Sequence, residues 1–388
     1  MNGLLGPART AIVALIPAAI LLASACGGGG GGGEQGIAKS EVVVANANLP
    51  IALAVAPDGR LFYAEQTSGM IRVVSADGNL LEQPFAQVLD NIAPIEFGLV
   101  GLALDPQFES NGYVYAIYHK KTGNETSRPT LIRFTDEGNK GVDPTVIIDD
   151  LPETVAKAYF NGAGNLHFGP DGYLYVAIGD YDQGDVAQDL QAPNGKILRI
   201  DKEDGTAPPD NPFQGNAAAD PRVFAYGLRK VFDFAFNPAT GGLYAPDGSS
   251  DTCDELNIVE AAKNYGWPMS YEFRFTSCTE GQPTTAIHLF ARKGTKPLDH
   301  LSVVNPAGVE FVSADAYPKI GDGLLVCERA GKLMRRLEFE GANQDSVKAD
   351  DVVVDDCALD IAAGPDGTIY YSNDTEIRRL VAEKAPAN

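Results

Sequence analysis

The segment Pro170-Asp171-Gly172-Tyr173-Leu174-Tyr175-Val176 couples a tight turn to a strand. Proline presets φ, aspartate satisfies turn amides, and glycine tolerates positive φ. The alternating aromatic and aliphatic residues then give the period of two that buries one face of a strand. The phrase recurs as Pro57-Asp58-Gly59-Arg60-Leu61-Phe62-Tyr63 and Pro365-Asp366-Gly367-Thr368-Ile369-Tyr370-Tyr371, with looser copies beginning at Pro106, Pro238 and Pro318. A second strand often follows and ends in arginine and an aliphatic, as in Met70-Ile71-Arg72-Val73, Ile197-Leu198-Arg199-Ile200 and Ile377-Arg378-Arg379-Leu380. Six hairpins with 47 to 80 residues between successive prolines predict propeller blades, because solenoid repeats keep tighter lengths. The expected fold is all-β, one six-bladed β-propeller over residues 41–382. Glu41 to Ala45 is expected to complete the last blade and close the ring, which removes exposed sheet edges.

The chain has 388 residues, 44% hydrophobic and 21% charged, enough apolar content for such a core. Its 30 basic and 52 acidic residues give a net charge of −22. That surface repels phosphate backbones and anionic lipid headgroups, which argues against nucleic-acid binding and electrostatic membrane docking. An anionic ligand therefore needs a locally basic pocket. A single ring with no second domain is expected to be a monomer.

Arg9 is the only charged side chain before residue 26, and it precedes the apolar stretch Ala11 to Ala25. Residues 1–25 have the layout of a secretory signal, too short and too broken by Pro17 to span a bilayer comfortably. Leu22-Ala23-Ser24-Ala25-Cys26 resembles a bacterial lipoprotein box, in which Cys26 receives the lipid; the alternative is an ordinary signal with an incidental cysteine. Residues 26–40, with seven glycines from Gly27 to Gly33, read as a flexible tether. The expected location is outside the cytoplasm, anchored by lipid to a bacterial membrane on its periplasmic or cell-surface face. Cys253, Cys278, Cys327 and Cys357 remain, an even set for an oxidising compartment. Pairing Cys253 with Cys278 and Cys327 with Cys357 closes the shortest loops. No C-x-x-C spacing supports a thiolate metal site.

Four stretches carry a resemblance: Gly98-Leu99-Val100-Gly101-Leu102-Ala103-Leu104-Asp105-Pro106; Phe168 to Gly172 through Gly179-Asp180; Asn194-Gly195-Lys196-Ile197-Leu198-Arg199-Ile200-Asp201; and Asp254-Glu255-Leu256-Asn257 with Asn264-Tyr265-Gly266-Trp267-Pro268. In this order they resemble the glucose/sorbosone dehydrogenase family, six-bladed propellers that use pyrroloquinoline quinone (PQQ) and calcium to oxidise sugars. The resemblance implies calcium ligands at the Glu255 side chain and the Tyr265 carbonyl, with Asp247 and Asp254 close enough in sequence to contribute. Ca²⁺ prefers such mixtures of carboxylate and carbonyl oxygens. The alternative is a helix start capped by Asp254 with Trp267 as a core anchor.

PQQ carries three carboxylates and calls for Arg and Lys. Tyr226-Gly227-Leu228-Arg229-Lys230 resembles the family's cofactor phrase, with Arg229 kept and Lys230 in place of asparagine. Arg229 could equally close a blade through a salt bridge. Glu96 stands where some relatives have a cofactor-binding glutamine, and its charge would repel PQQ. Cys357 and Leu359 stand where one branch of the family has two arginines. Asn161 occupies the position of the family's catalytic histidine, and an amide cannot act as the base. His167 is the nearest substitute, or else a packed histidine; His119, His288 and His300 belong to no constellation. Three functions remain open: a PQQ- and calcium-dependent aldose dehydrogenase, a non-catalytic calcium-containing ring binding a carbohydrate or protein, and a calcium-dependent lactonase.

Overall fold

The turn–strand phrase folds as the hinge between the first and second strands of each of six four-stranded antiparallel sheets. The computed structural model describes residues 37–91, 94–154, 160–250, 252–268, 278, 282–299 and 302–382. The leader, Cys26, the glycine tether and His300 lie outside the described residues. Blade 1 comprises Pro50–Val55, Leu61–Glu65, Met70–Val74 and Ala86–Gln87. Blade 2 comprises Leu99–Leu104, Tyr113–Lys121, Ser127–Asp136 and Gly141–Ile148. Blade 3 comprises Ala163–Phe168, Leu174–Ile178, Lys196–Ile200 and Val223–Tyr226. Blade 4 comprises Ala235–Phe236, Leu243–Asp247, Glu255–Val259 and His288–Leu289, and blade 5 Pro306–Val312, Gly323–Glu328, Leu333–Glu340 and Ser346–Asp355. Blade 6 comprises Ile361–Ala363, Ile369–Ser372 and Glu376–Leu380, completed by the early strand Ser40–Ala45, which pairs antiparallel with Glu376–Leu380. The ring is thus closed by its own N-terminal strand, as the sequence predicts.

The second strands correct one expectation. Leu61–Glu65, Leu174–Ile178 and Leu243–Asp247 are buried on both faces, not one. Successive side chains feed opposite seams between blades: Leu174, Val176 and Ile178 join a cluster with blade 2, while Tyr175 and Ala177 join one with blade 4. Aromatic and aliphatic residues alternate there because each side of the sheet packs against a different neighbour.

Inner strands meet at the axis without room for extra atoms. A Cβ on Gly164 would stand 2.4 Å from the Val231 carbonyl oxygen, and one on Gly308 would stand 2.4 Å from the Asp360 Cα. The register slips early in the inner strands of blades 1, 2, 3 and 5. Neighbouring side chains then take the freed amides: Leu53 N–H donates to Asp360 Oδ2 (2.6 Å), Leu102 N–H to Asn165 Oδ1 (3.1 Å) and Val309 N–H to Asp233 Oδ2 (2.8 Å). These bulges turn the strand starts toward one mouth of the ring.

Two disulfides staple the ring, and the second is fully buried. Cys253–Cys278 and Cys327–Cys357 form, with Cα atoms 5.5 and 5.2 Å apart. The second ties the second strand of blade 5 to the chain entering blade 6.

Candidate functional site

The six strand starts enclose a cavity of about 200 Å³. Its walls are mostly apolar, with Ile51, Val231, Phe232 and Leu359 among them, and Lys230, Arg329 and Glu96 supply the charges. Two further spaces adjoin Arg229. One, of about 40 Å³, is lined by Asp247, Glu255, Tyr265 and Trp267; the other is an open cleft of about 630 Å³ lined by Asp180, Asp182, Arg229 and Trp267.

The sequence motifs pack against one another. Tyr265 N–H donates to the Tyr226 carbonyl (2.9 Å) and Trp267 N–H to the Gly227 carbonyl (2.9 Å). Gly227 lies at φ 76°, and a Cβ there would stand 2.1 Å from Asn264 Oδ1, so only glycine fits. The 179–194 insertion of blade 3 is docked on the same phrase, where Gln188 Nε2 donates to the Trp267 carbonyl (2.5 Å) and to Asn264 Oδ1 (3.1 Å). Lys196, fully buried, holds that insertion from beneath by donating to the carbonyls of Val186, Ala187 and Asn194.

Asp247 and Glu255 face each other across adjacent strands, so Glu255 lies on a strand and not at a helix start. Asp247 accepts the backbone N–H groups of Arg229 (2.9 Å) and Lys230 (2.6 Å); Glu255 accepts Asn257 Nδ2 and Gln282 Nε2. Burial pushes the Asp247 carboxyl up to about 6 against these donors. Burial and the Asp247 charge push Glu255 up to about 7. Two buried acids side by side, with the Tyr265 backbone on the same small space, form a donor set suited to a hard cation. Among the described residues no three His, Cys, Asp or Glu groups converge, so carbonyl or water oxygens would have to complete such a shell. Asp254 does neither thing the sequence allowed it. It caps no helix and lines none of these spaces; it accepts the amides of Ser249, Val304 and Asn305, tying blade 4 to blade 5.

Arg229 donates to the Gly248 carbonyl (3.0 Å), lies 3.8 Å from Asp182 Oδ1 and covers the Trp267 ring at 5.5 Å. Glu96 and Lys230 resolve one another's anomaly. Lys230 Nζ donates to Glu96 Oε1 at 2.5 Å, and Glu96 Oε2 accepts the Asn161 N–H at 2.9 Å. The Glu96 charge is therefore matched by the lysine that replaces asparagine.

Asn161 sits beside this pair, buried, with its Nδ2 donating to Asp180 Oδ1 (2.8 Å) and Asp182 Oδ1 (3.0 Å). His167 lies elsewhere, on the inner strand of blade 3, with Nε2 2.6 Å from Asp233 Oδ1, and lines neither cavity nor cleft. Its ring belongs to the packing of the axis. Cys357 is bonded to Cys327, and Leu359 adds an apolar wall to the cavity. His119 is fully buried and stacked on Phe97, its Nε2 accepts the Ala163 N–H, and burial pushes it down to about 3.

Sequence reading missed Gln66, Asp180, Asp182 and Arg329. A signal existed: a buried polar residue stands within two positions of the end of the second strand of each blade, namely Glu65, His119, Asp180, Asp247, Glu328 and Ser372.

The model of the glucose/sorbosone dehydrogenase family matches residues 47–382. The chain is 28% identical over 355 residues to aldose sugar dehydrogenase YliI of Escherichia coli, covering 88% of this chain and 91% of that protein. It is 29% identical over 302 residues to quinoprotein glucose dehydrogenase B of Acinetobacter calcoaceticus, covering 70% of this chain and 61% of that one. A solved putative oxidoreductase (glucose dehydrogenase) of Thermus thermophilus superposes with a TM-score of 0.75 at 29% identity, over 89% of this chain and all of the other. The PQQ-bound aldose sugar dehydrogenase of Streptomyces coelicolor, at 23% identity and a TM-score of 0.68 over 89% of this chain and 98% of the other, shares the fold. The family match spans nearly the whole ring and its motifs build one mouth, so this chain belongs to the glucose/sorbosone dehydrogenase family.

Proposed function

We propose that the chain oxidises aldose sugars at the mouth of the ring, with PQQ as electron acceptor and Ca²⁺ beside it. The observation that carries this reading is the convergence of Arg229, Lys230 and Arg329 with the Asp247–Glu255 pair at one end of the axis. Arg229, Lys230 and Arg329 around an apolar slot suit a flat tricarboxylate in an otherwise acidic protein; Lys230 is paired with Glu96 and Arg329 with Asp374, so the ligand's carboxylates would share or displace these partners. Lys230 and Arg329 would hold carboxylates from within the cavity and Arg229 from its side, while Glu255, Asp247 and the Tyr265 carbonyl would hold the cation. PQQ, when bound, supplies the hydride acceptor. The chain's own residues keep the slot dry on its Ile51, Phe232 and Leu359 side, and Trp267 gives the sugar a flat apolar face in the cleft.

Purified protein loaded with PQQ and Ca²⁺ is expected to reduce a dye with aldoses, and to lose turnover when either is withheld. Calcium alone is expected to raise the thermal midpoint of the wild type and to leave Glu255→Gln unchanged. Two departures, Asn161 and the Glu96–Lys230 pair, favour a second reading, a ring that binds a carbohydrate or protein without oxidising it. Aldose binding without dye reduction would select it; lactone hydrolysis without quinone would select a hydrolase. We read residues 1–25 as a signal and Cys26 as lipidated, which puts the ring outside the cytoplasm; the two disulfides support that compartment. Palmitate labelling lost in Cys26→Ser is the expected result.

A further inference from the structure

We propose that the Asp182 carboxylate is the proton acceptor of this site, held in place by the Asn161 amide. This rests on the dehydrogenase reading above. Removing hydride from a sugar carbon requires a group to take the proton of its hydroxyl, and among the carboxylates around the mouth Asp182 is the one that lines the cleft and is held there by Asn161.

Asp180 is 1% exposed and fully engaged: Oδ1 accepts Asn161 Nδ2 and the Asp182 N–H (2.9 Å), and Oδ2 accepts Trp267 Nε1 (2.8 Å). Both oxygens of Glu96 are taken by Lys230 and Asn161. His119 is buried behind Gly162, and His167 is tied to Asp233 away from the cleft. Asp182 differs on each count. Its side chain is 44% exposed and lines the open cleft between Arg229 and Trp267. Among the described residues only Oδ1 meets protein donors, the Asn161 amide at 3.0 Å and the Arg229 guanidinium at 3.8 Å. Oδ2 is left to meet a ligand.

The surroundings favour proton transfer. Partial burial, then the charges of Asp180 and Glu96, raise the Asp182 carboxyl above its usual range against the pull of Arg229 and Lys230; Asp185 lines the same cleft. The backbone is committed to this placement. Asn161, Tyr181 and Asp182 all adopt left-handed conformations, φ 53°, 53° and 56°, which non-glycine residues keep only where surrounding structure enforces them. In the reaction, the C1–H bond of the aldose breaks and its electron pair leaves as hydride to an ortho-quinone oxidant. The C1 hydroxyl proton passes to Asp182 as the C1=O bond of the lactone forms. Hydride transfer leaves the quinol monoanion; the carboxyl releases its proton to water, and one proton from water completes the quinol.

The test uses full-length protein loaded with PQQ and Ca²⁺, comparing wild type, Asp182→Asn, Asn161→His/Asp182→Asn and, as a control, Glu109→Gln at an exposed carboxylate of the turn end of blade 2. Quinone affinity is read by absorbance, separately from turnover. Asp182→Asn is expected to lower kcat about 100-fold or more, the span general bases supply, with KM and quinone affinity within about threefold and the acidic limb of the kcat/KM profile lost. Asn161→His/Asp182→Asn is expected to regain at least tenfold, and Glu109→Gln to behave as wild type. Turnover of Asp182→Asn within threefold of wild type overturns the proposal and leaves the dehydrogenase reading standing. Loss of quinone binding in Asp182→Asn also overturns it, by showing a positioning role. A wild type that binds quinone but oxidises no aldose overturns both together.

Discussion

At the residue scale, the site is built from compensations. Glu96 is discordant when read alone, as is Lys230; together they form a 2.5 Å ion pair between the entry to blade 2 and the entry to blade 4. Each partner keeps part of its side chain in solvent, so their coupling is expected to be about 1 kcal/mol. A denaturant-unfolding cycle with Glu96→Gln, Lys230→Asn and the double variant checks this, and strictly additive costs would contradict it. Lys196 is the opposite case, a fully buried amine with three carbonyl acceptors, matching the three donors of an ammonium. Burial nevertheless pushes it down to about 7. Lys196→Met removes three charge-assisted bonds and leaves the Asn194 carbonyl without its donor, while the Val186 and Ala187 carbonyls keep the amides of Asp189 and Gly227; it is expected to cost about 3 kcal/mol. Thermal unfolding measures the cost, and proteolytic nicking within 179–194 should accompany it.

At the element scale, the inner strands carry a polar axis with its own pH response. Burial and the Asp233 charge push Asp360 well above the carboxylate range, and burial raises Glu310 as well. Burial opposes a charge on His167, but the Asp233 carboxylate outweighs it and raises the imidazole above its ordinary value. All three groups bind protons more tightly in the folded chain than in the unfolded one. Their stabilisation is therefore complete at low pH and is lost as pH climbs through the folded values. The thermal midpoint of the metal-free protein is expected to fall as pH rises above the ordinary carboxylate range. Asp360→Asn keeps an acceptor for the Leu53 N–H and removes one charge, so it should raise the pH 8 midpoint and flatten the slope. An unchanged slope would contradict this assignment.

At the scale of the whole molecule, stability depends on closure and stapling. Ser40–Ala45 gives blade 6 its outer strand, and without it the edge of Glu376–Leu380 would be open to pairing with other chains. The Cys327–Cys357 bridge spans 30 residues and joins blades 5 and 6. Replacing both with serine is expected to cost about 3–4 kcal/mol, chiefly by freeing the unfolded chain. Unfolding under non-reducing conditions checks the value, and a variant as stable as wild type would show the bridge to be dispensable.

The turn phrase by itself determined six strand pairs, the ring and its closing strand, because turn chemistry and period-two patterning are local and each blade repeats them. Short sequence separation likewise made both disulfide pairings legible. Tertiary structure alone decided the site. Glu96 meets Lys230 across 134 residues, and Asn161 reaches Asp182 across the first two strands of blade 3 and their turn. Such contacts depend on where the axis gathers chain segments, and no local pattern records that. The family resemblance pointed to Glu255, Tyr265 and Arg229 but passed over Asp182. An aspartate in a polar insertion looks like any solvated loop residue until the fold turns its carboxylate into a cleft.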